Sequence, residues 1–181
     1  TDAGLAYAAA ARDILDATRQ AERAAAGEYD RPAGVLTITA PVVFGRLHIL
    51  PVVTAFLRAH PAVTVRLLLQ DHLVNLAEEH IDLAVRIASL PDSGMMATSV
   101  GAIRQVVCAS PAYLADRGTP AEPGAVAGHD CVAFSTQAGP VGWVFRDGAV
   151  TVRPRLAVST AEAAVDAAIA GVGLMQLRDY Q

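Results

Sequence analysis

The sequence predicts an α/β chain: a long N-terminal helix, then two lobes built from short parallel strands and crossover helices. Three observations carry that reading. An Ala-rich stretch runs from Leu5 to Ala26 without Gly or Pro, as an uninterrupted helix requires. Beyond it, short β-branched apolar runs alternate with helix-period segments, the order of a parallel sheet with crossover helices. Hydrophobic residues make up 53% of the 181 positions and charged residues 18%, enough for a sizeable core and too apolar for a disordered chain.

The first element is a helix over residues 2–26. Tyr7, Ala11, Ile14, Thr18, Ala21 and Ala25 recur at alternating spacings of four and three, a coiled-coil-like seam of mostly small side chains. At 1.5 Å per residue the helix is roughly 37 Å long. A solitary helix of that length needs a partner over its seam. It either folds back on its own domain or serves as a linker and dimerisation helix, and the absence of an immediate antiparallel partner favours the second reading. Gly27–Gly34 (GEYDRPAG) is a linker by composition. Residues 1–30 are therefore assigned to the helix and its exit.

Lobe 1 is expected over residues 34–99. VLTITA (35–40), VTVRLLL (63–69) and DLAVRI (82–87) read as strands, apolar on both faces and so covered on both sides. Between them lie a helix over roughly 44–59 and a second over 71–80, with Asp71 as its N-cap. Pro51 falls inside the first of these, so that helix either begins near Leu50 or kinks there.

Lobe 2 is expected over residues 100–181. IRQVVCAS (103–110) is a strand. Ser110-Pro111 supplies an N-cap and a proline at the first helical position, and Gly118 ends that helix. Residues 118–130 look like a loop. Strands follow near 131–134, 143–146 and 150–158. Ser159 or Thr160 caps a helix to about Ala170, closed by Gly171, and VGLMQL opens a last strand. No internal repeat is visible as sequence identity.

Charge and motifs exclude several functions. The net charge of −4 and a pI near 5.7 leave no basic stripe to grip DNA phosphates. The N-terminus is punctuated by acids and Arg, unlike a signal peptide, and no stretch approaches 18 uncharged apolar residues, so no membrane span is expected. Cys108 and Cys131 fit neither a metal spacing nor a disulfide framework, and both read as buried structural thiols in a reduced, cytoplasmic setting. No two of His48, His60, His72, His80 and His129 are spaced to hold a metal on one helical turn; they read as surface or capping residues. Asp82, Asp92 and Asp130 sit at element edges, where Asp caps or turns. There is no GxSxG, and GVGLMQ lacks the third Gly of a dinucleotide motif and follows a helix, so it reads as a helix stop before a strand. No enzyme, cofactor or metal site is expected.

Two places point to binding. APVVFG (40–45) joins the first strand to its helix, and VSTAEA (158–163) joins the last long strand to its helix. In open α/β sheets ligands lie beyond the carboxyl ends of strands, where helix N-termini offer free N–H groups suited to a carboxylate or phosphate. Both segments also read as plain strand-to-helix connections, and spacing alone does not decide.

The wording of the chain goes further. The run GVLTITAPVVFGRLHILPVVTAFLRAHPAVTVRLLL, followed in order by DHLVNLAEEHIDLAVRIASLPDS, VVCASPAYLADRGTP, GHDCVAF, WVF and AEAAVDAAIAGVGLMQL, resembles the effector-binding domain of LysR-type regulators over about residues 34–181. TDAGLAYAAAARDIL resembles the helix that links this domain to a winged helix-turn-helix.

The resemblance implies a two-lobed, periplasmic-binding-protein-like α/β fold behind a linker helix. It implies a small effector, often a carboxylate, held between the lobes, homodimers or homotetramers, and DNA contact through an N-terminal domain outside this sequence. Effector binding then changes oligomer shape and DNA bending, and through them the access of RNA polymerase. By position, the family's effector contacts fall on Pro41, Val42, Val43 and Phe44 and on Ser159, Thr160 and Ala161, and its hinge on Thr98, Ser99, Val100, Gly101 and Ala102. The second lobe is expected to be incomplete at Gln181, lacking the return to the first. The chain departs from its relatives at Asn75, where they often have Asp, and at Arg178, where they often have Pro. Its first turn is apolar where some relatives place Ser or Thr, which favours an apolar or aromatic effector over a strongly hydrogen-bonded anion. The competing class is a solute-binding protein of a transport system, which shares the architecture but needs an export signal.

Overall fold

The computed structural model of the chain describes residues 1–25, 32–72, 74–76, 78–88, 94–135, 137 and 139–181. Helix α1 spans Asp2–Ala25. Thr1 caps it, its Oγ1 accepting the N–H of Gly4 at 3.3 Å. Along the expected seam, Tyr7 and Ile14 are 78% and 67% exposed, so this apolar stripe is uncovered in the single chain. The last residue of the expected helix, Ala26, and residues 27–31 of the linker lie outside the described residues, as does Asp92.

The chain divides into two compact units, Thr1–Ala40 with His48–Val85, and Pro41–Leu47 with Arg86–Gln181. In the first unit, β1 (Gly34–Ala40), β2 (Val63–Leu69) and β3 (Leu83–Ala84) form a parallel sheet in the order β2-β1-β3. β1 is central, and its Thr37, Ile38, Thr39 and Ala40 are all buried. The β1–β2 crossover is helical from Val42 to Ala59 in three parts: α2 (Val42–Phe44), a π-helical turn (Gly45–Ile49) and α3 (Leu50–Ala59). Of the two readings of Pro51, the first holds: α3 starts at Leu50 with Pro51 in its first turn, and the run before it is π-helical. By length and composition Val42–Ala59 is apolar enough to cross a membrane, a stretch that the sequence reading did not single out. It carries Arg46 and Arg58 and here connects two strands of one sheet.

Among the described residues of 71–80 the expected helix does not form. Val74 and Asn75 have no regular structure, and the chain closes one tight turn, with Glu79 N–H donating to Asn75 O and Ile81 N–H to Leu76 O. His80, at φ 50°, ends that turn in the left-handed region. The strand expected over 82–87 shortens to Leu83–Ala84, anchored at its edges. Asp82 brackets Thr37, its N–H donating to Thr37 O at 3.0 Å and its Oδ2 accepting Thr37 N–H at 2.8 Å. Val85 N–H donates to Thr39 O at 2.8 Å. The first unit ends at Val85, and Arg86 begins the second, rather than the division falling at residue 99.

In the second unit, β4 (Gln105–Cys108), β5 (Cys131–Phe134), β8 (Leu156–Val158) and β9 (Leu174–Arg178) form a sheet in the order β4-β9-β5-β8, with only β4 antiparallel. The three parallel strands β8-β5-β9 repeat the second-first-third order of β2-β1-β3. α4 (Pro111–Arg117) is built as its sequence says: Ser110 Oγ accepts Tyr113 N–H at 3.2 Å, Pro111 opens the helix, and Gly118 at φ 81° ends it. The loop expected over 118–130 holds a 3-10 helix, Pro123–Gly128. The long strand expected over 150–158 is divided at Pro154, which has no N–H for a ladder. Its halves are β7 (Gly148–Val152), paired in a hairpin with β6 (Val141–Phe145), and β8.

Alternation along β5 and β9 fills both faces of this sheet. Cys131 and Leu174, paired in register, pack with Tyr113, Val126, Trp143 and Val152. Their neighbours Val132 and Met175, also paired, pack with Ala164 and Ala168 of α5 (Ala161–Ile169). Small side chains on that helix face let it lie close to the sheet. Burying each Val, Leu or Met here contributes about 1.5–3 kcal/mol.

Candidate functional site

The first turn follows β1 directly. Pro41 and Val43 are buried, while Val42 and Phe44 are half-buried. Pro41 is the N-cap of α2 at φ −57°, ψ 144°, and no side chain caps that end. Its carbonyl accepts Gly45 N–H at 2.7 Å. The first helical turn holds no acidic residue. Its accessible surface is thus apolar, with a helix N-terminus beneath it.

Residues Pro41–Leu47 belong to the second unit, not to the expected first lobe. Phe44 shows why: its ring stands edge-on to that of Tyr180, with centroids 5.2 Å apart and planes at 82°. The sequence reading missed Tyr180. It lies just beyond β9, and no periodicity connects it with Phe44.

At the second turn, Ser159 and Thr160 are exposed and Ala161 is buried. The cap belongs to Thr160, whose Oγ1 accepts Ala163 N–H at 3.3 Å. Gly171, at φ 84°, closes the far end of α5: its N–H donates to Ala168 O and that of Val172 to Ala167 O, the expected C-terminal motif. Glu162 stands in the first turn of α5. Its charge offsets the positive helix end and works against an anion there, so the two turns differ electrostatically. The seven candidate residues all fall within the second unit. Thr98–Ala102, the candidate hinge, is exposed and irregular rather than strand, with Val100 90% exposed.

A second polar constellation, also missed, lies around Tyr113. This buried ring accepts Asp130 N–H on its hydroxyl at 3.0 Å and stands 3.2 Å from His129 Nδ1. Asp130 Oδ2 receives Arg117 at 3.4 Å and Arg155 at 3.2 Å, both exposed guanidiniums of small energetic weight. The Cys131 thiol donates to the carbonyls of His129 and Val126. Burial, with a smaller contribution from the Asp130 charge, pushes that thiol up to about 11. Cys131 is the inert buried thiol expected, but Cys108 is exposed, contrary to expectation. β4 is the outermost strand of its sheet, and strand alternation does not reveal an edge. Tyr113, His129, Asp130 and Cys131 are packed as a structural lock that ties α4, the 3-10 helix and β5 together. Among the described residues no three His, Cys, Asp or Glu stand together to hold a metal ion.

Comparison with known proteins agrees with this geometry. Residues 29–181 match the family model described as the LysR substrate binding domain. The chain is 35% identical over 146 residues to the probable HTH-type transcriptional regulator LtrA of Klebsiella pneumoniae, covering 81% of this chain and 47% of LtrA. It is 31% identical over 186 residues to the HTH-type transcriptional regulator CrgA of Neisseria meningitidis, covering 99% of this chain and 61% of CrgA. The solved regulatory domain of CrgA superposes with a TM-score of 0.69 at 29% identity, covering 82% of this chain and 74% of that one. The structure of CrgA itself gives 0.72 at 28% identity, covering 99% and 62%. These relatives are named as regulators, not enzymes, and the chain spans about half to three fifths of the length of LtrA and CrgA.

Proposed function

The chain belongs to the LysR substrate-binding domain family, and on that premise we propose that it is the small-molecule-sensing part of a cytoplasmic transcription regulator that binds its effector without turning it over. Its α/β fold is the two-lobed, periplasmic-binding-protein-like fold of LysR regulatory domains. The family match over residues 29–181 carries the reading. The effector is a small carboxylate or aromatic compound that meets Pro41, Val42, Val43 and Phe44 on one side and Ser159, Thr160 and Ala161 on the other. The lack of an acidic residue in the first helical turn leaves a carboxylate or polar head unopposed there, and the half-buried Val42 and Phe44 support an apolar body. Thr98–Ala102 serves as the hinge.

Outside the sensing part, α1 joins the domain to an N-terminal DNA reader and pairs with α1 of another copy. The exposed Tyr7 and Ile14 support that pairing, and the rise in coverage from 82% to 99% between the CrgA regulatory domain and CrgA itself supports a place for α1 outside the sensing part. DNA is reached through that reader, in a homodimer or homotetramer, and RNA polymerase indirectly.

The test is Val42→Trp, which fills the turn with an indole. Thermal unfolding of wild type and variant is compared across a panel of aliphatic and aromatic carboxylic acids. A compound that raises the wild-type Tm by several degrees should leave the variant unmoved, while the two proteins melt within a few degrees of each other without ligand. Equal shifts in both would remove the first turn from the site.

A further inference from the structure

In a sheet of parallel strands the carboxyl ends lie together, and ligands meet the groups just beyond them. Ser159 and Thr160 follow β8 in this way. Its neighbour β5 runs parallel to it, with Phe134 beside Val158 in register, and Ser135 N–H donates to Val158 O at 2.9 Å. The two strands thus end level, and Phe134 stands one strand across from the second turn. Strands about 4.8 Å apart, rising about 3.3 Å per residue, place the Phe134 and Ser159 backbones roughly 6 Å from each other. Side chains alternate along β5. Cys131 packs on the Trp143 face and Val132 on the α5 face, so Phe134 shares the side of Val132, Val158 and α5. Phe134 is 40% exposed, a large apolar ring at the sheet's carboxyl end, on the side where α5 begins.

The polar chemistry around that ring is largely committed. Ser135 Oγ donates to Gln137 O at 3.0 Å and accepts Gln137 N–H at 3.1 Å, and Thr160 Oγ1 caps α5. Glu162, in the first turn of α5, opposes a carboxylate at that helix start. We infer that Phe134 is a further effector contact, and that it sets the class of the ligand: an aromatic carboxylate whose ring packs on Phe134 while its carboxylate points away from Glu162. The inference rests on the second turn being part of the effector site. Ring on ring adds to simple burial of apolar area, a gain of about 2- to 12-fold in affinity that a saturated ligand of the same size does not share.

The experiment titrates the full chain calorimetrically with two probes, benzoate and cyclohexanecarboxylate, which share a carboxylate and a six-membered ring but differ in its π system. Wild type should bind benzoate saturably and more tightly. Phe134→Leu keeps an apolar side chain without the ring, and should lose about 2- to 12-fold in benzoate affinity while binding cyclohexanecarboxylate as before. Phe134→Tyr, which restores a ring, should restore the preference, and Val144→Ala, an exposed apolar position on the hairpin, should leave it intact. A merely structural role for Phe134 would weaken both acids alike, and that result overturns the inference. So does an absence of saturable benzoate binding by wild type. Benzoate binding that Val42→Trp abolishes and Phe134→Leu leaves unchanged overturns this inference and keeps the effector reading. The reverse pattern, discrimination lost in Phe134→Leu with Val42→Trp binding normally, supports Phe134 and removes the first turn from the site.

Discussion

Replacing Gly173 by Ala tests the tightest approach in the second sheet. A Cβ at this position falls 2.2 Å from Asp130 O, 2.5 Å from Asp130 C and 3.0 Å from Cys131 N, all backbone atoms with no rotamer to yield. Bringing the closest of these to ordinary contact moves β5 and β9 apart by more than about 1 Å. The Leu174 N–H to Asp130 O bond, 2.8 Å long, then stretches beyond hydrogen-bonding range. Leaving a buried pair unsatisfied costs about 1–3 kcal/mol. Overpacking between strands whose Leu174, Met175, Cys131 and Val132 are almost wholly buried adds about 1–3 kcal/mol. A total of roughly 2–6 kcal/mol is a large part of the 5–15 kcal/mol that holds a typical domain folded. Urea unfolding followed by the fluorescence of Trp143, which packs against Leu174, reads this directly. The midpoint should fall steeply, with Gly173→Ala partly unfolded before denaturant is added. A loss below about 0.5 kcal/mol with an unchanged slope would show that β9 can move aside, and would refute the claim that this strand pair is fixed by backbone contact.

Two further outcomes follow from the Tyr113 lock. Tyr113→Phe keeps the ring but leaves Asp130 N–H without its hydroxyl acceptor, and should destabilise the chain by about 1–3 kcal/mol in the same urea assay, whereas Arg155→Ala should change it by less than about 1 kcal/mol. The thiols should separate by reactivity and by pH. Iodoacetamide at neutral pH should label exposed Cys108 first, and Cys131 only in denaturant, as peptide mass mapping would show. Because the folded Cys131 thiol titrates at about 11 against an ordinary 9.0, the unfolded chain loses this proton first as pH rises. The stability contribution is thus complete below pH 9 and is lost between about 9 and 11, and Cys131→Ala should flatten that part of the curve.

What the sequence disclosed depended on how local the cause was. Ser110-Pro111, Thr160 and Gly171 cap their helices with groups three or fewer residues away, and each lies where the sequence puts it. β1 and β2 were legible from their β-branched apolar runs, but the expected cover on both faces holds only for Thr37–Ala40 of β1: β2 has no fully buried residue, and its Thr64 and Arg66 are exposed. Residues 71–80 misled because their apolar spacing fits a helix. There Asn75 Oδ1 reaches Glu78 N–H, and the chain must turn back within a few residues to lay Leu83 beside Ile38. Position in the sheet, not periodicity, exposes Cys108. The two candidate turns were found because they end strands, a local property. Their assignment to one unit, and the Phe44–Tyr180 contact that accompanies it, depends on residues at opposite ends of the domain and left no trace in any window of sequence.

The antiparallel partner of β4 has a consequence in time. Gln105 pairs with Arg178, so a strand that leaves the ribosome early waits for one synthesised about seventy residues later. At about 5–20 residues per second that interval is roughly 4–15 s. Throughout it the Val106–Val107 stretch is an open, sticky edge on a nascent chain. The second sheet therefore cannot assemble vectorially, and a cell making this protein has to keep that edge from finding another chain before its own last strand emerges.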